Sequence, residues 1–203
     1  VPTCCSNGTR SFCLQRQKRN LMMALQGRHI ALRALEPEDL QFLFQTENNV
    51  RFWEMSHTQV PFSKHILKRY LENAHQDIYE SKQLRLMIVG HEREQPVGMI
   101  DIFDFNPQHQ RAGIGIVIEE TYQGKGYAFE ALQIFIDYCF SHLNLHQLYA
   151  NIMRNNLKSI ALFKKVGFSF VGEKKDWLYI RGKYQSELLF QLICQDQIKK
   201  PKK

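Results

Sequence analysis

Apolar residues alternate with polar ones, or run together, in seven short stretches that predict β-strands. These stretches are residues 29–35, 84–89, 97–105, 111–118, 148–153, 168–180 and 184–194. Alternation over about four to eight residues buries one face of a strand, whereas a continuous apolar run indicates a strand buried on both faces. Short polar turns separate the second stretch from the third and the sixth from the seventh, so each of these two pairs is predicted to form a hairpin.

Other stretches carry apolar residues at intervals of three and four, which predicts helices. The first helix is predicted to open at residues 36–39, where Pro37 and three acidic side chains favour an N-terminus, and to continue through Leu40, Leu43 and Phe44. The others are predicted at about 63–80, 126–142 and 156–166. Strands and helices are intermixed without a repeat or a linker, so the expected fold class is α+β (mixed α/β).

The pattern extends over residues 28–196, which we expect to form a single domain. A chain of 203 residues with 44% apolar residues can bury one core. Residues 1–27 show no periodicity and are expected to be a disordered extension, with Met22 and Met23 offering a natural start just before the domain. Residues 197–203 form a basic tail.

The net charge of +7 does not indicate nucleic-acid binding, because the excess lies at the two ends. Residues 1–27 hold four basic residues and no acid, and residues 197–203 hold four lysines. In residues 28–196, between the two ends, the numbers of acidic and basic residues are nearly equal. A nucleic-acid-binding domain normally carries a basic face of its own, so no nucleic-acid partner is expected.

The cysteines indicate a reducing compartment, and we therefore expect a cytoplasmic protein. Their number is odd and their spacing fits neither a disulfide framework nor a metal site: Cys4, Cys5, Cys13, Cys139 and Cys194. No apolar run approaches the roughly 18 residues of a membrane helix, so no membrane partner is expected. His142 and His146 lack the glutamate of a His-Glu-x-x-His site, and no metal is expected.

The stretch 111–128 joins a predicted strand to a glycine-rich loop and to the start of a predicted helix. Its apolar run ends at Ile118, and the loop is Gln123-Gly124-Lys125-Gly126. Backbone N–H groups at a helix N-terminus, together with the helix dipole, bind phosphate groups. Neither the Walker pattern nor the dinucleotide pattern Gly-x-Gly-x-x-Gly follows the strand. The loop therefore predicts a phosphate-bearing ligand of another class.

The loop resembles the coenzyme A pyrophosphate loop of the GNAT superfamily of N-acetyltransferases, whose pattern Gln-x-x-Gly-x-Ala matches Gln123, Gly126 and Ala128. Residues 156–168 resemble the C-terminal motif of the same family, Asn-x-x-Ser/Ala-x-x-Leu-Tyr-x-Lys-x-Gly-Phe. The resemblance spans about residues 28–193 and is closest to the spermidine/diamine N-acetyltransferase subgroup. The matching segments are Leu32-Arg33-Ala34-Leu35-Glu36, His109-x-Arg111, Tyr122-Gln123-Gly124-Lys125-Gly126 and Leu143-Asn144-Leu145-His146.

This resemblance implies a mixed sheet in which antiparallel strands are followed by a splayed parallel pair, flanked by helices. It implies acetyl-CoA as the cosubstrate, with pantetheine lying between the strands near 114–118 and 148–152 and the pyrophosphate at residues 123–128. The residues expected to contact coenzyme A are Ile116, Val117, Ile118, Gln123, Gly124, Lys125, Gly126, Tyr127, Ala128, Asn156, Ser159 and Phe163.

An amine acceptor must lose a proton before it attacks, because a primary ammonium has a pKa near ~10. The candidate carboxylates are Asp101 and Asp104 on the predicted strand 97–105, and Glu54 in a loop after the first helix. Alternation places Asp101 and Asp104 on opposite faces, so only one is expected to face the cleft. His109 is a further candidate base or a structural histidine, and each acid is alternatively a solvated edge residue.

Two departures from the family pattern bear on the reaction. Phe163 stands where the family has the tyrosine that protonates the departing thiolate. Gly113 stands where the polyamine subgroup has a carboxylate, and residues 53–61 hold only one acid, Glu54. The second departure weakens the polyamine assignment and leaves the acetyltransferase assignment intact.

We therefore expect an N-acetyltransferase that acts on a primary amine of a small molecule, a polyamine or another small amine. One alternative is transfer to a protein N-terminal amine, as in the ribosomal-protein branch of the family. The other is a coenzyme-A-binding sensor without catalysis, which Phe163 favours. Self-association is common in the resembling subgroup, and a homo-oligomer is expected.

Overall fold

The computed structural model describes residues 25–56, 60–74, 76–92 and 94–194, apart from the side chains of residues 54–56. In chain order the elements are β1 (Ile30–Arg33), α1 (Leu40–Glu47), α2 (Val50–Ser56), α3 (Lys64–Glu72), α4 (Ile78–Ser81), β2 (Leu84–Gly90), β3 (Gln95–Asn106), β4 (Arg111–Ile118), α5 (Tyr127–Ser141), β5 (Gln147–Met153), α6 (Leu157–Lys165), β6 (Ser169–Ile180) and β7 (Lys183–Ile193). Short 3-10 turns at Pro37–Asp39 and Glu120–Tyr122 precede α1 and the loop before α5.

The strands form one seven-stranded sheet in the order β1-β2-β3-β4-β5-β7-β6. All neighbours are antiparallel except β4 and β5, which are parallel. The parallel ladder covers only the first three residues of each strand, from Arg111↔Gln147 to Gly113↔Tyr149. Beyond it β4 and β5 separate. The predicted mixed sheet with a splayed parallel pair is therefore confirmed.

Helices cover the two faces of the sheet unequally. Helices α5 and α6 pack on one face, where Leu132, Phe135 and Phe163 join the main core. On the other face α1 and α3 cover β2 and β3 with a smaller core of four buried residues, Leu43, Leu67, Met87 and Met99. Within the described ranges no helix combines the length and apolarity needed to cross a bilayer.

The predicted helix over residues 63–80 is wrong, since α3 and α4 are separate helices. The side-chain amide of Asn73 donates to the carbonyl of Arg69 at 2.9 Å and ends α3. The carboxylate of Asp77 accepts from the N–H of Tyr79 at 2.8 Å and begins α4. Short polar side chains compete in this way with the helical backbone bonds, and they outweigh the apolar spacing here.

Residues 25–27 contact β1, although the sequence pattern assigns them to the N-terminal extension. Gln26 forms a bridge with Ala31, and the N–H of Gly27 donates to the carbonyl of Ile30 at 2.8 Å. Residues 1–24 and 195–203 lie outside the described residues. The disordered extension and the basic tail therefore stay predictions.

Candidate active site

The separation of β4 and β5 opens a cavity of about 450 Å³ that passes between the two strands. Ile114, Ile116 and Ile152 line it on the side of α5 and α6, whereas Asp101 and Gly115 line it on the opposite side. A ligand in this gap can reach backbone groups on the edge of β4 that faces β5, because β4 pairs with β5 only as far as Gly113. This is the place where pantetheine was predicted.

Of the three residues of β4 that were predicted to contact the cofactor, two line the cavity and one does not. Ile116 and Val117 line the cavity. Ile118 is buried at 7% exposure, and its carbonyl accepts a hydrogen bond from Gln123 Nε2 at 3.1 Å. Gln123 therefore ties the loop to the end of β4, which explains its place in the pattern without a ligand contact.

The loop that begins α5 has room for an anion beside its backbone. Gly124 and Gly126 have φ angles of +78° and +86°, and no atom lies within 4 Å of where a Cβ would be. Glycine adopts positive φ without steric cost. Tyr127 and Ala128 start α5 and pack partly against the core, and Lys125 lies over the ring of Tyr122 at 5.1 Å. These features fit a diphosphate that approaches the helix N-terminus.

Helix α6 brings three predicted residues to the cavity: Asn156, Ser159 and Phe163. The side chain of Asn156 accepts from the N–H of Ser159 at 3.1 Å, so the predicted N-cap is confirmed. Phe163 is 4% exposed and packs edge-to-face on Phe168, with ring centroids 5.1 Å apart. The aromatic ring is thus placed at the gap, but it carries no hydroxyl.

Asp101 and Asp104 lie on the same face of the sheet, and the alternation that places them on opposite faces is wrong. The β3–β4 register shifts between Phe103 and Asn106, so that β3 carries one extra residue there. Asp104 has a φ of +50°, and its Oδ2 accepts from Tyr149 Oη at 2.9 Å. The ring of Phe103 packs on the same tyrosine at 5.8 Å. A bulge reverses the alternation of side chains beyond it.

Only Asp101 lines the cavity, because Asp104 faces a neighbouring open depression of about 800 Å³. Burial, together with the hydrogen bond to Asp104, raises the pKa of Tyr149 to about 12. At neutral pH its hydroxyl therefore stays protonated and donates to the carboxylate. The depression also contains Arg111 and Lys174.

Arg85 lines the cavity and joins two carboxylates there, and it was not predicted from the sequence. Its Nη1 lies 2.5 Å from Glu47 Oε1, and its Nη2 lies 3.0 Å from Asp101 Oδ2. Its guanidinium lies 5.8 Å from the ring of Tyr70. Burial acts to lower the pKa of Arg85, but the charges of Asp101 and Glu47 outweigh it and the pKa is raised. The available signal was a charged residue inside an apolar strand.

A second ion pair lies on the opposite side of the gap. Glu187 of β7 is 4% exposed and lines the cavity. Lys174 Nζ donates to Glu187 Oε2 at 2.8 Å and to Asn151 Oδ1 at 3.0 Å. These residues come from three strands, and no local pattern relates them. An acid within the apolar stretch 184–194 was the one signal in the sequence.

Of the two remaining candidate bases, one lies away from the cavity and the other has a side chain outside the described residues. Glu54 belongs to α2 rather than to a loop, and its side chain lies outside the described residues. His109 is in the turn between β3 and β4, where its N–H donates to Asn106 Oδ1 at 2.9 Å, and it does not line the cavity. Across the described ranges no group of three or more potential metal ligands occurs.

Comparisons with known proteins agree with this geometry. The family model described as "Acetyltransferase (GNAT) domain" matches residues 29–169. The spermidine N(1)-acetyltransferase of Escherichia coli K12 is 33% identical over 162 residues, which cover 78% of this chain and 83% of the relative.

Two solved structures of the Vibrio cholerae spermidine N-acetyltransferase share the fold. One, in complex with CoA and spermine, has a TM-score of 0.75 at 26% identity and covers 82% of this chain and 96% of the other. A dodecameric structure in an intermediate state has a TM-score of 0.69 at 26% identity and covers 85% and 98%. The resemblance in residues 111–128 and 156–168 is thus confirmed, and the chain belongs to the GNAT family of acetyl-CoA-dependent N-acetyltransferases.

Proposed function

We propose that the protein transfers the acetyl group of acetyl-CoA to a primary amine of a small, polyamine-like acceptor. The observation that carries the proposal is the gap between β4 and β5, a cavity lined by the ring of Phe163, the open edge of β4 and, on the opposite side, the carboxylate of Asp101. The names of the E. coli and V. cholerae relatives support a polyamine acceptor.

The donor is held by backbone groups. Ile116 and Val117 offer the strand edge to the pantetheine arm, and residues 123–128 offer the helix N-terminus to the diphosphate. Asn156 and Ser159 complete the wall of the gap. An N–H of the diverging strand stabilises the oxyanion that develops on the acetyl carbonyl, and one such donor lowers the barrier by about 3 kcal/mol.

Asp101 receives the acceptor amine. Arg85 engages its Oδ2 through Nε and Nη2 at 3.3 and 3.0 Å. Its Oδ1 lies over Gly115 of β4, so close that a Cβ there would be 2.6 Å away. The oxygen next to the gap can therefore bind the ammonium and, through solvent, take up its proton before attack. Asp104 adds a further negative charge on the same face.

The sulfur leaves without the tyrosine that the family pattern places at Phe163. A thiol with a pKa near ~8.5 is a good leaving group as thiolate, and water supplies the proton afterwards. The absence of that hydroxyl predicts a slower reaction, because general acid catalysis contributes about 10²–10⁴ in rate where the leaving group needs it.

An amine panel tests the proposal. Purified protein is mixed with acetyl-CoA and spermidine, spermine, short diamines or a peptide with a free N-terminus, and release of free thiol is followed. Acetylation of the small polyamines is the expected result. Turnover of the peptide alone identifies a protein N-terminal acetyltransferase. Calorimetric binding of acetyl-CoA with no turnover on any amine identifies a sensor, and either result refutes the proposal.

We also propose that the protein forms a homo-oligomer. The dodecameric V. cholerae relative supports this, and so do the exposed neighbouring rings of Tyr179 and Tyr184 on the β6–β7 hairpin, which are tilted by 54° with centroids 5.1 Å apart. Light scattering after gel filtration measures the mass directly. A monomeric mass at micromolar concentration refutes the assignment.

A further inference from the structure

The ammonium group of Lys174 is held by a set of groups that suits any primary ammonium ion. Its Nζ lies 2.8 Å from Glu187 Oε2, 3.0 Å from Asn151 Oδ1 and 5.2 Å from the ring centroid of Trp177. An ammonium has three donors, and it binds to carboxylate oxygens, amide oxygens and the faces of aromatic rings. We call Glu187, Asn151 and Trp177 the ammonium site.

Two of the three residues of the ammonium site line the cavity that contains Asp101. Glu187 and Asn151 line the cavity, and Asn151 also lines the neighbouring depression. Asp101 lies on the same face of the sheet across the gap. Lys174 lines only the depression, and its side chain is 32% exposed. The lysine therefore reaches the ammonium site from the solvent side and can leave by rotating its side chain.

The strand around Lys174 is irregular in a way that an ordinary ion pair does not need. Lys174 pairs with Glu187 across β6 and β7, and the next pair is Leu178 with Gln185. Between these two pairs β6 proceeds by four positions while β7 proceeds by two, so β6 forms a bulge. Asp176 in this bulge has a φ of +49°, and Trp177 comes to lie beside the lysine. Two residues joined across adjacent strands form an ion pair without such a bulge.

We propose that the ammonium site binds the second amine of a diamine or polyamine acceptor, and that Lys174 occupies it until that amine displaces it. The inference rests on the proposed function, since it concerns the same acceptor cavity. An acceptor with one amine makes the contact with Asp101 and gains nothing from Glu187. An acceptor with two amines gains a second ion pair but has to displace the lysine, so the lysine limits its affinity.

Equilibrium binding of matched amines tests the proposal. Calorimetry with CoA present compares 1,4-diaminobutane with n-butylamine on the wild type, Lys174→Met and Glu187→Gln. Lys174→Met is expected to lower the Kd of the diamine about threefold to tenfold more than that of butylamine, because only the diamine can contact Asp101 and Glu187 at once when the lysine no longer occupies the site. Glu187→Gln is expected to raise the diamine Kd by a similar factor. Lys175→Met, at an exposed neighbour, is the control.

If the Lys174–Glu187 pair had only a structural role, these substitutions would change the stability of the protein and leave the ratio of the diamine Kd to the butylamine Kd unchanged. If the ratio of the two Kd values is the same in all four proteins, the pair only joins two strands and the proposal is overturned. Should Lys174→Met fail to fold, Glu187→Gln and the double variant decide, since both remove the charge of the Glu187 carboxylate. In both, the diamine is expected to lose its advantage over butylamine, and a retained advantage overturns the proposal.

Parallel measurement of thiol release separates this inference from the proposed function. Altered diamine selectivity without turnover refutes acetyl transfer to small amines and leaves the ammonium site in place. Turnover of diamines with unaltered selectivity refutes the ammonium site and leaves the transferase in place.

Discussion

Substitution of Gly115 by alanine tests whether the placement of Asp101 matters to the reaction. The added Cβ would lie 2.6 Å from Asp101 Oδ1, so the two atoms have to separate by about 0.8 Å to reach ordinary contact at about 3.4 Å. The backbone of Gly115 is not in the left-handed region, and alanine fits its conformation. The strain therefore falls on the carboxylate, which is held on its far side by Arg85.

A displacement of about 1 Å at a catalytic group costs about 10² in rate. We therefore expect Gly115→Ala to lower kcat for the amine acceptor by roughly one hundredfold, with the KM for acetyl-CoA little changed. Overpacking is also expected to cost about 1–3 kcal/mol of stability. Initial rates of thiol release measure the first effect, and thermal unfolding measures the second.

The matched control is Gly172→Ala on β6, where an added Cβ meets no atom within 4 Å. This variant is expected to keep both the wild-type rate and the wild-type stability within about 0.5 kcal/mol. A Gly115→Ala protein that turns over amines at the wild-type rate would show that Asp101 does not contact the reacting amine. Loss of activity in both variants would point instead to general damage of the sheet.

Three further predictions concern other contacts of the site. Arg85→Met leaves Asp101 and Glu47 without their shared cation and is expected to cost about 2–3 kcal/mol in chemical denaturation, because the guanidinium is only partly buried; Arg85→Lys should retain more stability, and an unchanged midpoint contradicts this. Phe163→Tyr is expected to raise kcat several-fold by returning a proton donor to the gap, and equal pH–rate profiles of the two proteins contradict it. The pKa of Tyr149 is raised in the folded state, so its protonated hydroxyl stabilises the fold fully at pH values below 10.0, the usual pKa of tyrosine. This contribution is lost as the pH rises from 10.0 to about 12, and over that interval the wild type should lose stability relative to Tyr149→Phe.

Local features of the chain were sufficient to predict most elements. The strand Arg111–Ile118 and the helix capped by Asn156 occur as the sequence indicates, because their side chains decide the backbone conformation without distant partners. The glycines at 124 and 126 adopt the positive φ angles that a phosphate-binding loop needs. The helix over 63–80 was wrong because Asn73 and Asp77 cap two shorter helices.

The positions of the charged residues around the cavity could be known only from the tertiary structure. Asp101 and Asp104 share a face only because β3 bulges, and a bulge is set by its pairing with β4. Arg85 reaches Glu47 over 38 positions of sequence, and Lys174 reaches Asn151 over 23. Ion pairs of this kind depend on which strands become neighbours, and single-strand periodicity contains no information about that.

The sequence by itself determined the family, the sheet-and-helix composition and the glycine-rich loop before α5, since each is encoded by residues that are adjacent along the chain. Only the tertiary structure decided which carboxylates line the cavity and which cations accompany them. The physical reason is the separation along the chain of the groups that interact. Caps, turns and glycine loops form their hydrogen bonds within a few residues. The charge pattern of a cavity arises where β2, β3, β5, β6 and β7 converge, and it exists only after they have packed.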